Sequence, residues 1–353
     1  CHSLDDLVDL TFSGGVALGG PPSEFRDGFG AVSSVSNPDR IHSDRGGFVR
    51  GFGERFDPDG FEIERDLVRG LDPLFQWILH TARAALREAS IAPDDPARRK
   101  AGIVLGNLMY PTATHTAWAN ARLLREMGIE VGCVEMDWRN RFSAGLPAQL
   151  AAKALGLGGR SYCLDAACAS SLYAVKIACD RLQSGQADVM LAGGVNCSDP
   201  LFPSVGFSGI HAISPTGKCR PFSREADGIL PGQGAAVVAL RRLSDASSRG
   251  DRILGVIRGI GLSNDGRSGG FFAPSVRHQI RCMREAYAHA GIEPEEISYL
   301  ECHATGTRVG DSAEIAAVRE VFGGAQKLTA GALKANIGHL VTASGAAALV
   351  RVL

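Results

Sequence analysis

The chain lacks a Cys-x-x-Cys pair, a surplus of either charge, a wealth of aromatic residues, and any apolar run long enough to span a bilayer. Each absence removes a class of protein. Lys and Arg (37) nearly cancel Asp and Glu (38), for a net charge of -1, so no electrostatic argument favours nucleic acid or an anionic membrane as a partner. No apolar stretch approaches the ~18 residues of a spanning helix. The opening Cys1-His2-Ser3-Leu4-Asp5-Asp6 has neither the basic nor the apolar region of a secretory signal. Nine cysteines are scattered, odd in number, and no Cys/His set has zinc-ligand spacing. Reduced thiols in a cytoplasmic protein without a metal are therefore expected.

What is present points to a compact enzyme-like body. At 353 residues and 45% hydrophobic, the chain can bury a large core, which excludes intrinsic disorder. Glycine is abundant, with 44 residues against about 25 at the average ~7% share. No Gly-X-Y period accompanies it, so the excess reflects tight turns and close backbone approaches.

Residues 12–60 are rich in Gly, Ser, Asp and Pro and read as irregular surface structure. From Pro73 the period becomes helical, with Leu74, Ile78, Leu79, Ala82, Ala85 and Leu86 on one face. Short apolar runs at Ala101–Gly106, Tyr162–Leu164, Val189–Ala192, Ala235–Leu240, Ile253–Ile260, Ile297–Cys302 and Leu328–Leu333 read as strands. Helices are expected over 144–156, 168–184, 275–290, 311–322 and 342–353. Strand and helix in alternation predict an α/β protein with a largely parallel sheet covered on both faces.

Chemistry concentrates in three strand-end segments. Asp165-Ala166-Ala167-Cys168-Ala169-Ser170-Ser171 puts a thiol where a strand turns into a helix, among the smallest side chains. A helix N-terminus aimed at the sulfur is expected to lower its pKa, and small neighbours admit a carbonyl and a backbone oxyanion hole. Alone, the segment would equally suit an ordinary buried cysteine. Glu301-Cys302-His303-Ala304-Thr305-Gly306-Thr307, followed by Gly310-Asp311 and Glu314, brings a His out of a strand into a Thr/Gly loop. Lys334-Ala335-Asn336-Ile337-Gly338-His339 repeats that layout. Loops at the carboxyl ends of parallel strands converge on one crevice, where a Cys and two His make a credible site.

In this order and spacing, the three segments resemble the β-ketoacyl synthase (ketosynthase) family. Leu71-Asp72-Pro73, Pro221-Phe222-Ser223 and Asn264-Asp265-Gly266 extend the resemblance over nearly the whole chain. It implies a thiolase-like α/β fold, two pseudo-repeated βαβαβ halves in five layers (αβαβα), usually as a homodimer. The halves would be residues 1–240, carrying the nucleophile, and 241–353, carrying both His residues.

The implied reaction is decarboxylative Claisen condensation, with Cys168, His303 and His339 catalytic. Lys334 and Glu314 would support them as an electrostatic pair, and Thr305 and Thr307 would bind the pantetheine arm. The Cys168 N–H would supply half of an acyl oxyanion hole. No permanently bound cofactor is implied; substrates ride on the phosphopantetheine of an acyl carrier protein. The resemblance also implies flanking synthase domains.

Ala166–Ser170 and Leu105-Gly106-Asn107-Leu108 with Pro111-Thr112 are similar to iterative type I synthases of the polyketide and polyunsaturated fatty acid kind. Relative to the family pattern, the opening strand before Cys1 and the Gly-Phe-Gly-Gly loop beyond Leu353 are missing. Gln233 stands where Glu is common, and Ala304 where Gly is common. Phe271-Phe272 would either narrow an acyl pocket or simply pack. Two other readings remain: a non-elongating ketosynthase-like partner, and a coenzyme A-dependent thiolase. No cysteine follows Cys302 to serve as a thiolase's second catalytic thiol.

Overall fold

A computed structural model describes residues 2–34, 37, 40–267, 273–324 and 327–353. Its centre is a four-stranded sheet in the order β2-β1-β3-β4. Strands β1 (Ala101–Asn107), β2 (Ser161–Leu164) and β3 (Val189–Asn196) are parallel, with Ile103 opposite Ser161 and Ala101 opposite Val189. Strand β4 (Gly234–Leu240) runs antiparallel to β3, with Met190 opposite Leu240. Every residue of β1 and β3 is buried, which explains their continuous apolar and glycine sequences.

Alternation along these strands feeds two helical layers. Ile103, Leu105 and Leu191 join Leu74, Phe75, Ile78, Leu79 and Ala82 in one core. The intervening Val104, Met190 and Ala192 face Ala174, Val175, Ala178 and Leu182 in another.

The chain reaches the first layer through four short helices, α1 (Leu4–Phe12), α2 (Ser23–Val32), α3 (Phe52–Arg55) and α4 (Arg65–Gly70). Helix α5 (Pro73–Glu88) follows, capped by the Asp72 carboxylate accepting from Leu74 N–H, with Pro73 at its first turn. After β1 come α6 (Ala113–Glu126), started by a Thr112–His115 capping box, and α7 (Leu146–Ala154). Helix α5 packs with α7 over the sheet.

Helix α8 (Ser170–Gln183) occupies the opposite face and leads to β3, α9 (Leu201–Gly209) and β4. The second half contains α10 (Leu243–Arg249), α11 (Val276–Ala290), β5 (Tyr299–Glu301), α12 (Arg308–Phe322), β6 (Thr329–Gly331), α13 (Lys334–Ile337) and α14 (Ser344–Val352). Strands β5 and β6 are parallel. Helix α14 packs beside α8 on β3 and β4, while α11 and α12 meet through Tyr287 and Phe322, edge to face at 5.6 Å. This is the layered, thiolase-like α/β architecture expected from the resemblance.

Several elements differ from what the sequence alone predicts. Ile253–Ile260 forms no strand, and Ile253, Leu254, Val256 and Ile257 are exposed. A strand needs a ladder partner, and among the described residues this segment has none. Its end is closely packed: Ile260 lies against the second core, and a Cβ at Gly259 or at the following Gly261 would collide with the backbone of α11. Within 12–60, the expected irregular stretch, the helix Ser23–Val32 is present; Gly28 and Gly30 obscure the spacing of Phe25, Phe29 and Val32. Helices α6 and α9 likewise lie outside the expected elements.

Candidate active site

Strand β2 ends at Leu164 and α8 begins at Ser170; between them, Ala167–Ala169 make a tight 3-10 turn that carries Cys168. Two side chains hold the turn. Asp165 Oδ1 accepts from Ala167 N–H at 2.8 Å. Ser170 Oγ accepts from Ala166 N–H at 2.8 Å and donates to Ala167 O at 2.7 Å. Small residues are required for packing as well: a Cβ at Gly106 of β1 would stand 2.6 Å from Ser170 Cβ.

Backbone conformation marks all three expected catalytic residues. Ala167, just before Cys168, has φ +51°; Ala304, just after His303, has +37°; Val341, two residues after His339, has +46°. Non-glycine residues at positive φ cost about 1–3 kcal/mol each and persist only where the surroundings hold them. Ala304 thus holds a fully buried methyl on a backbone conformation that favours glycine.

The His303 loop is gripped by Glu314 of α12. Its Oε1 accepts from His303 N–H at 2.6 Å and its Oε2 from Ala304 N–H at 2.7 Å. Both Glu314 oxygens are thus engaged by backbone and form no contact ion pair with Lys334, although the two opposite charges still act on each other. Burial raises the Glu314 pKa, and the two N–H donors oppose that rise.

Asp311, at the start of α12, performs a similar task. Its Oδ1 accepts from Gly306 N–H at 3.1 Å and its Oδ2 from Phe222 N–H at 2.7 Å, so it ties the Thr/Gly loop to the Pro221-Phe222 turn. Thr307 caps α12 by accepting from Gly310 N–H, and its hydroxyl lies 3.0 Å from that of Thr305. If Thr307 donates to Thr305, the Thr305 hydroxyl hydrogen is left for another acceptor.

The third loop folds back between strands. Gly338, at φ +79°, lets His339 exchange backbone hydrogen bonds with the 230–232 segment, His339 N–H to Leu230 O and Gly232 N–H to His339 O, both at 2.8 Å. Ala is expected to fit poorly at Gly338. Its Cβ would lie 2.9 Å from Leu230 O and 3.2 Å from Pro231 O on a backbone L residues avoid. Gly338→Ala should lose about 1–3 kcal/mol in urea unfolding and reduce turnover with it.

His339 is 3% exposed, and its Nδ1 accepts from Val341 N–H at 2.8 Å, with the Ser344 hydroxyl at 3.3 Å. That bond assigns the ring proton to Nε2. The His303 ring lies edge-on to His339, 5.5 Å between centroids. His303 keeps an exposed surface although protein packs densely around its ring.

Burial, and then the Lys334 ammonium, holds the His303 pKa below its ordinary value. For His339, burial, His303 and Lys334 all push the pKa well down. Both rings are therefore neutral at physiological pH. Lys334 is 6% exposed, and burial lowers its pKa while Glu314, Cys168, Glu301 and Cys219 oppose that. Cys168 shares this charge neighbourhood, and its turn packs against the 341–343 turn. Ser171 Oγ, accepting from Ala346 N–H at 3.0 Å, fastens the Cys-bearing helix α8 to α14.

One electrostatic expectation is reversed. Burial raises the Cys168 pKa, with Lys334 and the residue's own N–H only partly opposing it. Desolvation favours the protonated sulfur, against the lowered pKa expected from the helix N-terminus.

Linkage follows for His339. Its folded pKa is depressed below the unfolded value near 6.5, so the unfolded chain takes up a proton that the folded chain refuses. Its contribution to stability is whole above that value and is lost as pH falls below it. Urea unfolding between neutral pH and about pH 5 should show a slope of up to ~1.4 kcal/mol per pH unit from this residue, flattened in His339→Asn.

Gln233 suits its surroundings as an amide. Its Nε2 donates to Ser198 O at 2.9 Å and its Oε1 accepts from Val49 N–H at 3.4 Å. A carboxylate would set an oxygen against the Ser198 carbonyl. Asp265 accepts from Ser275 N–H, which closes the Asn264-Asp265-Gly266 turn onto the start of α11. Phe271 and Phe272 lie outside the described residues. Among the described residues, no group of three or more His, Cys, Asp or Glu could hold a metal ion, and no helix is long and apolar enough to cross a membrane.

Comparison with known proteins identifies the family. The family model for the N-terminal domain of β-ketoacyl synthases matches residues 2–246, and that for the C-terminal domain matches 254–353. The chain is 36% identical over 296 residues to a mycocerosic acid synthase-like polyketide synthase of Mycolicibacterium smegmatis, covering 84% of this chain and 14% of that protein. It is 34% identical over 367 residues to the PKS-NRPS hybrid synthetase ATPKS of Aspergillus niger, covering 99% of this chain and 19% of that one. The chain thus spans less than a fifth of these relatives.

Among solved structures, a PfaC keto synthase-chain length factor superposes with a TM-score of 0.89 at 33% identity, covering 99% of this chain and 39% of that one. The ketosynthase from module 6 of the bacillaene synthase of Bacillus subtilis 168 superposes with a TM-score of 0.80 at 27% identity, covering 99% and 57%.

Proposed function

This chain belongs to the β-ketoacyl synthase family, and on that premise we propose that it is an elongating condensing unit working on carrier-bound acyl groups. The observation that carries the proposal is the pair of neutral rings, with the His339 proton assigned to Nε2. An enolate needs N–H donors where its oxygen develops charge, and two uncharged imidazoles supply them without protonating the carbanion.

The residues divide the work accordingly. Cys168 attacks the carbonyl of an acyl thioester on the phosphopantetheine of an acyl carrier protein; the carrier thiol leaves with the cysteine's proton. The carboxyl-to-α-carbon bond of malonyl on the carrier then breaks, CO₂ departs, and the electron pair moves to the enolate oxygen facing His303 and His339. The enolate carbon attacks the Cys168 thioester, and sulfur leaves and regains a proton. Thr305, with Thr307 behind it, offers a hydroxyl to a pantetheine amide. Lys334 supplies the positive field, and Glu314 fixes the His303 backbone.

Assembly as a homodimer is part of the proposal. Strand β2 is a sheet edge, and the 108–142 stretch exposes Met109, Leu123, Met127, Trp138 and Phe142. Arg141, at its end, stacks over Trp118 of α6 and ties the two parts of this stretch together. An apolar area of this kind is ordinarily covered by another chain. Residues 1–240 and 241–353 are taken as the two halves, within a larger synthase whose other domains provide carrier and substrate.

Intact-mass analysis after incubation with acyl-carrier thioesters is the test. A working condensing unit gains one acyl mass at Cys168, absent in Cys168→Ala. Adding malonyl carrier then reads condensation as β-ketoacyl product: a partner that only passes chains gains the adduct without product, one that only shapes a pocket gains no adduct, and either result would overturn the reading.

A further inference from the structure

We propose that Glu301 is a positioning residue that locks the His303 loop to the Lys334–His339 segment through Leu333, Tyr299 and Arg351. The inference rests on the site being a decarboxylating condensing centre. Glu301 closes β5, two residues before His303, and its side chain is 7% exposed. Its Oε1 accepts from Leu333 N–H at 2.7 Å, and Leu333 caps the turn that begins with Lys334. Its Oε2 accepts from the Tyr299 hydroxyl at 2.6 Å and from Arg351 Nη1 at 3.0 Å. Arg351 lies on α14, the helix that follows His339.

One carboxylate therefore touches every segment that carries a reacting imidazole or the buried ammonium. The neighbouring backbone leaves room for it: a Cβ at Gly331 would collide with the Tyr299 hydroxyl and lie 2.5 Å from Glu301 Oε2. The groups bearing on Lys334 are Glu314 from α12, Cys168, Cys219 and Glu301, together with His303 and His339. Glu301 differs from Glu314 in having a cation of its own, Arg351. A buried pair of this sort is weak evidence for stability. Its bond to Leu333 is what fixes the register between the two loops.

The test compares Glu301→Gln, Glu301→Ala and Glu301→Ala/Arg351→Ala in the full chain. Readouts are malonyl-carrier decarboxylation, thermal midpoint and the alkylation rate of Cys168 by iodoacetamide. Gln keeps an acceptor for Leu333 N–H and is expected to fall between wild type and Ala. In Ala, kcat should drop by about 10- to 100-fold with KM unchanged, the scale of a misplacement below about 1 Å. Removing Arg351 as well should restore the thermal midpoint, by deleting the unpaired cation, without restoring kcat.

Recovery of kcat together with the midpoint would make Glu301 an ordinary ion-pair partner and overturn the inference. So would full kcat in a folded Ala variant. Should the unmutated chain fail to decarboxylate, the proposed function itself fails. Cys168 alkylation, slowed in Ala and in the double variant as Lys334 shifts, still decides the role of Glu301; an unaltered rate would overturn it.

Discussion

Cys168→Gln is expected to abolish condensation while malonyl-carrier decarboxylation continues. The two steps use different groups. Condensation needs a covalent acyl thioester, and removing a nucleophile of this type lowers turnover by roughly 10⁴-fold or more. Decarboxylation needs only the donors that face the enolate oxygen, His303 and His339, which the substitution leaves in place. Gln is also a reasonable occupant: the turn is held by Asp165 and Ser170 through backbone atoms, so losing the sulfur does not undo it. Release of CO₂ from malonyl carrier, measured beside formation of the β-ketoacyl product, separates the steps. Parallel loss of both in a folded variant would mean that the sulfur also serves decarboxylation, contrary to this division.

The resting state of that sulfur shows what motif reading misses. A helix start beside a cysteine argues for a thiolate, and the turn, the helix and the small neighbours are all present. Burial nonetheless pushes the pKa up, because a thiolate partly enclosed in this turn loses some of the water that would stabilise it. On the proposed function, acyl transfer begins from a thiol, and deprotonation belongs to the proposed reaction rather than to the free enzyme. Alkylation of wild-type Cys168 follows the same logic: its rate rises with pH beyond the range of an ordinary free thiol.

How much of the molecule is legible in its sequence depends on the range of the interaction. Strand-end loops carrying Cys168, His303 and His339 are legible because local glycine and small-residue patterns mark turns, and parallel topology gathers strand ends. The layered fold is legible for the same reason. The edge-to-face placement of the rings, Glu314 on backbone instead of Lys334, and Glu301 bridging to Leu333 and Arg351 are not. These contacts run between separate loops and helices, 10 to 50 residues apart in the chain, and no period encodes them. Ile253–Ile260 fails in the other direction. Its composition favours a strand, but a strand exists only with a neighbour to bond, and composition does not report that.

Ala at either imidazole position should remove decarboxylation, which Cys168 substitutions spare. Loss of one preorganised donor to a developing oxyanion costs about 10²–10³ in rate, or ~2.7–4 kcal/mol. The two rings should not be equivalent in how they fail. His339 is buried and accepts from Val341 N–H, so His339→Ala leaves that donor without its partner and lowers stability as well as rate. His303 is held by its backbone, through Glu314, and keeps an exposed surface, so His303→Ala should lose rate with a smaller thermal shift. Asn at 339 supplies a side-chain N–H donor from a shorter side chain and should recover part of the decarboxylation rate; Ala recovers none. Since both imidazoles are already neutral, the wild-type decarboxylation rate should hold from neutral pH down through the ordinary histidine range near 6.5. A rate that instead fell with a midpoint at that pH would show that one ring works as an ordinary titrating base, and the enolate-donor assignment would have to be abandoned.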